Sequence, residues 1–421
     1  MTYLMIDKLH MNDFGKFYYS IVTYLGGGEM YGPNPSTFIT VSPLFGQQFW
    51  NLNPPHFHLP LLPLGYLSPE VALAIWGSLN LIALIASLRL IGKELDLNPT
   101  TWQGRFLFLA FLAFSGTGSF FLTGQLSFLL LYPITLAWIY ARHAQWTKTG
   151  LSLGLACAIK PFLLIFAPYF LIKKHYSALL NLFLIFAIAY IAGLCTFGPH
   201  IYWQWIAKIQ LVDWSWASMN ASIHGWLSRT LSENPTFAPS WHLPQFITPL
   251  WIACSGILGI VLFAILHLDQ SPQSVDRAFA LLLLGAILIS PLGWIYYLFF
   301  PLGPLTGMVH KAWSDKKKNK TPRFPVYERT RNILMVLAGA GLIFPLQFAY
   351  FFQPNWWATL TIGSMYFWST LAVWTALLLD WHITKCPNFR YDHASFNEIK
   401  TLYGVRPETA SASYMRMDRE I

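Results

Sequence analysis

Residues 148–174 read KTGLSLGLACAIKPFLLIFAPYFLIKK. The apolar part, 150–172, is long enough to enter a bilayer as helix. Its flanks are basic on both sides: Arg142 and Lys148 precede it, Lys173 and Lys174 follow it. Lysine and arginine stay on the cytoplasmic side of membrane segments, so a single crossing would strand one flank on the wrong side. The run also carries its own break, Ala158-Ile159-Lys160-Pro161. Proline disfavours helix at the residue before it. The expectation is a re-entrant hairpin of two half-length helices meeting at Lys160-Pro161. Non-helical backbone at membrane depth is tolerated where it lines a cavity or is buried in protein. A lysine placed there is costly and implies an anionic partner.

Working outward, the rest of the chain has the same membrane character. Of 421 residues, 55% are hydrophobic and 11% charged, against about one-quarter charged in soluble proteins. Apolar runs predict crossings near 68–91, 105–122, 126–141, 178–198, 246–268, 277–291, 293–310, 332–352 and 356–381. Short alternating strands of the barrel type are absent. The fold class is therefore all-α and polytopic, with residues 1–381 as one membrane-embedded domain and 382–421 as a polar tail. The net charge of +9 sits in short loops, where it sets topology rather than binding nucleic acid. The most basic loop, 311–331, contains KAWSDKKKNK, Arg323, Arg329 and Arg331 and fixes the cytoplasmic side. Counting from it puts Arg89, Lys93, Arg105 and the tail inside. It puts residues 1–58, the long loop 199–245 and the turn 353–355 outside. This scheme starts the chain outside with no anchoring helix behind it, so the expectation is either a genuinely outside N-terminus or, in preference, one more helix before Met1. The loop 199–245 carries Trp203, Trp205, Trp214, Trp216 and Trp226, and short helices lying along the outer surface are expected. No pair among Cys157, Cys195, Cys254 and Cys386 has metal or redox spacing, so neither disulfide nor metal site is expected.

The polar stretches left over fall on the outer side, at helix ends or breaks. Asp13 lies in NDFGKFYY (12–19), where it is either a helix N-cap or a reactive acid. Asn53-Pro54-Pro55-His56-Phe57-His58 reads as an extended lead-in to the first crossing, with both histidines on one side. Gly124-Gln125-Leu126-Ser127 forms an outer turn that either satisfies helix ends or touches a ligand. Asn220-Ala221-Ser222-Ile223-His224-Gly225, with Arg229 beyond it, is the most polar part of the long loop, and arginine suits phosphate through its planar fork. Ser290-Pro291-Leu292-Gly293-Trp294-Ile295-Tyr296-Tyr297 is a further outer break.

Taken in order, these stretches resemble the polyprenyl-phosphate-sugar-dependent glycosyltransferases of the GT-C fold, and most nearly glycosyltransferase family 87. The likeness runs over roughly residues 12–310. Asp13 corresponds to that family's acidic residue in the first outer loop, and Asn53-Pro54-Pro55 to its Tyr-Pro-Pro. Gly124-Gln125-Leu126-Ser127 resembles Gly-Gln-x-Asn, with Ser127 in place of the last Asn. Gly154-Leu155-Ala156 through Lys160-Pro161 is similar to the family hairpin. Asn220-Ala221-Ser222 with Gly225 and Arg229 is similar to Asn-x-Ser-Leu-x-Gly followed by Arg. Ser290-Pro291 with Trp294 resembles Ser-Pro-x-Ser-Trp-x-His, with Gly293 for Ser and Tyr296 or Tyr297 for His. The resemblance implies a hexosyltransferase, with mannose as the sugar by analogy, on the non-cytoplasmic face of the plasma (inner) membrane. Its donor would be a polyprenyl-phosphate sugar and its acceptor a hydroxyl of a glycolipid, polysaccharide or protein. Asp13 would be the base of an inverting displacement, and Lys160 and Arg229 would hold the donor phosphate. Gln125, Asn220, His58 and Tyr297 are further candidates for substrate contacts, and no cofactor is implied. Broken helices around a lysine also suit a transporter or lipid flippase, which should show pseudo-repeats; none is seen.

Overall fold

The computed structural model describes residues 12–32, 50–98, 100–212, 214–234, 236–271, 274–317, 325–344 and 355–385. Among them the regular structure is helical, as the apolar runs require. Four helical stretches are long and apolar enough to cross a membrane: Pro69–Glu94, Tyr176–Phe197, Pro244–Leu268 and Trp356–Thr384. The last of these bends at Thr361–Ser364, between α15 (Trp356–Leu360) and α16 (Met365–Lys385). The expected crossing at 105–122 is two helices, α3 (Trp102–Ala113) and α4 (Ser115–Thr123), parted by an extended Phe114. The one at 293–310 is likewise interrupted. A 3₁₀ turn over Ile295–Phe299 precedes α13 (Leu302–Lys317), and Pro301 lies between them. The tail beyond 385, residues 318–324 of the basic loop and the end of the 332–352 crossing lie outside the described residues.

The hairpin takes the expected form. α6 (Trp146–Ile159) stops at Lys160, and Pro161 opens a 3₁₀ turn that leads into α7 (Phe166–Ile172). The two ends of the hairpin meet: the Trp146 ring stacks on His175 with centroids 3.4 Å apart and planes 13° from parallel. The chain therefore enters and leaves at the same level. The next helix, α8 (Tyr176–Phe197), runs beside α6 in the same direction, with Gly150 against Ala178 and Gly154 against Leu182 and Ile185. Small residues let two helix backbones close up where lipid offers no hydrophobic drive. A Cβ at position 150 would run into the Ala178 backbone. Gly150→Val should therefore force α6 and α8 apart and lower the melting temperature of the detergent-solubilised chain by several degrees. A melting curve that superimposes on the wild type would remove this contact as a determinant of the fold.

The centre of the bundle is α12 (Ser274–Ile289), whose residues Asp276 to Leu288 are all buried. It packs against α16, α13 and α11 (Ile247–Leu268). A helix apolar all round belongs in such a position. The two ends of the bundle differ chemically. At one end, α2 (Pro69–Glu94) and α5 (Ser127–Arg142) bring Glu94 within 3.0 Å of Arg142 and of His143. At the same end Arg277, fully buried, forks to Asp269 at 2.6 Å and Asp380 at 2.8 Å, and Arg331 reaches the other oxygen of Asp380. The tip of the hairpin points to the opposite end.

Candidate active site at the hairpin tip

Lys160 caps α6 and points into protein rather than lipid. Its ammonium donates to Asn53 Oδ1 at 2.8 Å and lies 5.5 Å from the centre of the Tyr297 ring. The break at Pro161 leaves carbonyls of α6 without helical donors, and His56 Nε2 takes up Ala158 O at 2.6 Å. Facing the tip is α1 (Asn12–Leu25), whose first turn carries Asp13. Asp13 is buried, pairs with Lys16 at 2.6 Å, and accepts from Gln125 Nε2. Gln125 also meets the Tyr296 hydroxyl. It can do so because Gly124 turns the chain with φ +67 and gives its carbonyl to Trp76. The Asp13 charge is felt at Lys160, Tyr296 and Tyr297 alike. A carboxylate, two ammonium groups and an amide thus converge where three elements from distant parts of the chain meet.

The Asn53–His58 stretch is not the extended strand that its prolines suggested. Pro54 is extended, but Pro55–Tyr66 is a 3₁₀ helix, with Pro60 and Pro63 inside it. The two histidines consequently diverge. His56 turns to Ala158 and Tyr202, and Gly193 of α8 makes room for it. His58 turns the other way and is fully buried, with Nε2 2.8 Å from the Asn51 amide and Nδ1 3.3 Å from Pro55 O. With both nitrogens engaged in the interior, His58 is placed as a support and not as a sugar contact. Burial pushes it from 6.5 down to about 4. The folded chain thus resists a proton that the unfolded chain accepts. The associated stability is complete above about pH 6.5 and is lost as the pH falls toward 4.

Asn220 and Arg229 also lie deeper than expected. Asn220 is fully buried and spends its whole side chain on backbone. Its Nδ2 donates to Ser215 O and Pro291 O, both at 2.9 Å, and its Oδ1 accepts from Ser222 N at 3.2 Å and Gly293 N at 2.9 Å. An amide has two donors and an acceptor with two lone pairs, so nothing remains for a substrate. Asn220 is the clasp between the long loop and the 290–297 break, reinforced by Ala221 N to Gly293 O at 2.7 Å and Ile295 N to Met219 O at 2.9 Å. Gly293 stands where a side chain would strike the Ile287 carbonyl. Ser222 caps α10 (Ile223–Leu231) by accepting from Gly225 N. On that helix, Arg229 is fully buried. Its Nε donates to Ser364 and its Nη1 to the carbonyls of Trp216, Ala217 and Asn220. Nε and Nη1 are thus committed to a hydroxyl and to backbone carbonyls inside the protein, which differs from the exposed phosphate ligand expected of it. Trp214 and Trp216, expected at the headgroups, pack inside with Phe237, whereas α9 (Pro199–Gln210) does expose Trp203, Ile206 and Ile209. Asn220→Ala should leave four backbone groups to find new partners, at about 1–3 kcal/mol for each that stays buried and unpaired. An unshifted thermal unfolding curve would show that the clasp is dispensable.

Lys16 and Asn51 were not singled out from the sequence, and Asn53 and Tyr296 entered only as parts of motifs. Lys16 was visible in principle, three residues from Asp13 on one helix face; Asn51 gave no local signal.

The family model of glycosyltransferase family 87 matches residues 51–291. That span contains Asn53, Gln125 and Lys160 and begins after Asp13. Two relatives are similar at 25% identity, both polyprenol-phosphate-mannose-dependent alpha-(1-2)-phosphatidylinositol mannoside mannosyltransferases. The first, from Mycolicibacterium smegmatis, aligns over 268 residues, 58% of this chain and 58% of its own length. The second, from Mycobacterium tuberculosis, aligns over 353 residues, 76% of each. The match to the first thus spans little more than half of that relative. No solved structure matches.

Proposed function

The chain belongs to glycosyltransferase family 87, and from that premise we propose that it moves a mannosyl group from a polyprenyl phosphate to a hydroxyl of a membrane-held acceptor. The observation that carries the reading is that the helix bearing Asp13 and Lys16 is tied through Ser20, Asn51 and Asn53 to Lys160 at the hairpin tip. Asp13 takes the proton of the acceptor hydroxyl. The oxygen attacks the anomeric carbon as its bond to the phosphate oxygen breaks, and the polyprenyl phosphate leaves with the electron pair. One displacement without a covalent sugar intermediate inverts the anomeric centre. The leaving phosphate gains charge in a site of low polarity, where fixed cations act most strongly. Lys160 and Lys16 supply that charge, while Gln125 fixes one oxygen of Asp13. Tyr297 supports Lys160 through its ring face.

The relatives' names supply mannose and the polyprenol phosphate, and a phosphatidylinositol mannoside as the acceptor class. We place the site on the non-cytoplasmic face of a plasma membrane. Arg142, Lys173, Arg277 and Arg331 gather at the other end, which the charge rule assigns to the cytoplasm. The test is transfer by membranes containing this chain, with labelled polyprenyl-phosphate mannose as donor and phosphatidylinositol mannosides as acceptor. A product with inverted anomeric configuration is expected. Label that crosses the bilayer without being transferred would point to a flippase instead.

A further inference from the structure

Lys160 is a half-buried cation whose hydrogen-bond acceptor is neutral. The acceptor 2.8 Å from its ammonium is an amide oxygen, Asn53 Oδ1, and an ammonium can only donate. Asn53 must therefore present its oxygen, and what holds the amide that way round can be traced. Its Nδ2 donates to Asn51 Oδ1 at 3.3 Å, and its backbone N–H donates to the same oxygen at 3.1 Å. With its oxygen so engaged, Asn51 turns its own Nδ2 to Ser20 Oγ at 2.9 Å and to His58 Nε2 at 2.8 Å. His58 Nε2 must then accept, which places the ring proton on Nδ1, toward Pro55 O at 3.3 Å. Asn51, Asn53 and His58 are all buried. The chain of bonds is anchored at each end by a group with no choice of direction, an ammonium at one end and a carbonyl at the other.

We propose that Asn53 holds the Lys160 ammonium ready for the donor phosphate, and that Asn51 and His58 are positioning residues that fix which end of the Asn53 amide faces it. This rests on the reading of Lys160 as a phosphate ligand. A neutral acceptor orients the ammonium without pairing with its charge, so the ammonium can still draw an incoming anion, whereas a carboxylate at position 53 would form an ion pair with it directly. The lowered basicity of His58 agrees with a ring kept neutral so that Nε2 can accept. The relay also accounts for two asparagines flanking Leu52, directly ahead of the paired prolines that fix the backbone there.

The experiment uses the full chain in lipid nanodiscs, with polyprenyl phosphate lacking a sugar as the probe. Binding is followed by tryptophan fluorescence and compared with steady-state kinetics on the mannosylated donor. Asn53→Asp should weaken polyprenyl phosphate binding and raise the donor KM by roughly tenfold or more, with a smaller change in kcat at saturating donor. His58→Leu, which removes the terminal acceptor, should move KM in the same direction. His58→Gln, whose carbonyl can accept from Asn51, should recover most of the loss, a rescue that simple refilling of the space would not discriminate. A folded Asn53→Asp variant with wild-type affinity for polyprenyl phosphate overturns the proposal. So do equal losses in His58→Leu and His58→Gln confined to kcat. If His58→Leu does not fold, the affinity of Asn53→Asp decides alone. Wild-type protein that binds polyprenyl phosphate but transfers no sugar sinks the glycosyltransferase reading and leaves the relay to its binding constants. Wild-type protein that does not bind it removes both.

Discussion

Asp13→Asn is expected to lower the transfer rate by about 10²–10⁴-fold, the usual contribution of a general base. Asparagine keeps the size of the side chain and an oxygen for Gln125 to donate to, so the packing of α1 against the hairpin tip should survive. Expression, thermal unfolding and binding of polyprenyl phosphate should stay near the wild-type level, with the loss falling on kcat. The measurement is sugar transfer at saturating donor, beside a binding isotherm on the same preparation. Retained turnover would remove Asp13 as the base. Loss of binding together with turnover would recast it as a partner of Lys16 rather than of the acceptor.

The second large effect concerns the opposite end of the molecule. Arg277 is fully buried between Asp269 and Asp380 and also donates to Ser271 and Thr384. Its fork ties α12 to α16 and to the loop after α11. Arg277→Met removes the cation and leaves two carboxylates facing each other out of water. Breaking a buried pair from one side costs about 3–5 kcal/mol. Arg331 still reaches Asp380 and softens this, whereas among the described residues Asp269 keeps the Ser271 N–H and the Lys173 contact to its carbonyl. Arg277→Lys should fall between the two, because a point ammonium cannot span both acids as a planar fork does. Thermal unfolding in detergent reads both variants, and a Met variant as stable as the parent would show that the triad is incidental. Neither substitution lies near Lys160, so donor binding by whatever remains folded should be unchanged.

The hairpin was legible because its signal is categorical: basic residues on both flanks and a proline after Lys160 allow few arrangements. The breaks at Phe114 and at 290–297 fell within or between apolar runs, and hydropathy does not register a change of backbone direction. The histidine pair misled because prolines that bar an α-helix suggest extension, and the 3₁₀ alternative emerges only when Gly193 and Tyr202 are there to receive His56. Arg229 misled for a different reason. An arginine among polar residues at a helix end looks like an anion ligand, and only the folded loop shows three carbonyls already occupying Nη1. Asn51 and Asn53 were beyond reach, since an amide acquires direction from neighbours far along the chain. Lys16 stood beside Asp13 in the sequence, but a lysine on an amphipathic helix is usually a solvated one, and its burial here comes from tertiary packing.

The stacking of Trp146 on His175 bears on how the chain is made. A segment that goes in and comes back by the same side contributes nothing to the parity of the topology. Excising 146–175 as a block and joining its ends should leave reporter tags on α8 and beyond in their original compartments. The same closure implies an order of biogenesis. The half-helices are too short to partition from the translocon on their own, so they must wait beside it until α8 emerges with the glycines of α6 to dock upon. A nascent chain held so that residue 175 but not 197 has cleared the ribosomal exit tunnel should therefore carry this stretch unprotected from protease, and one held with 197 also clear should carry it shielded.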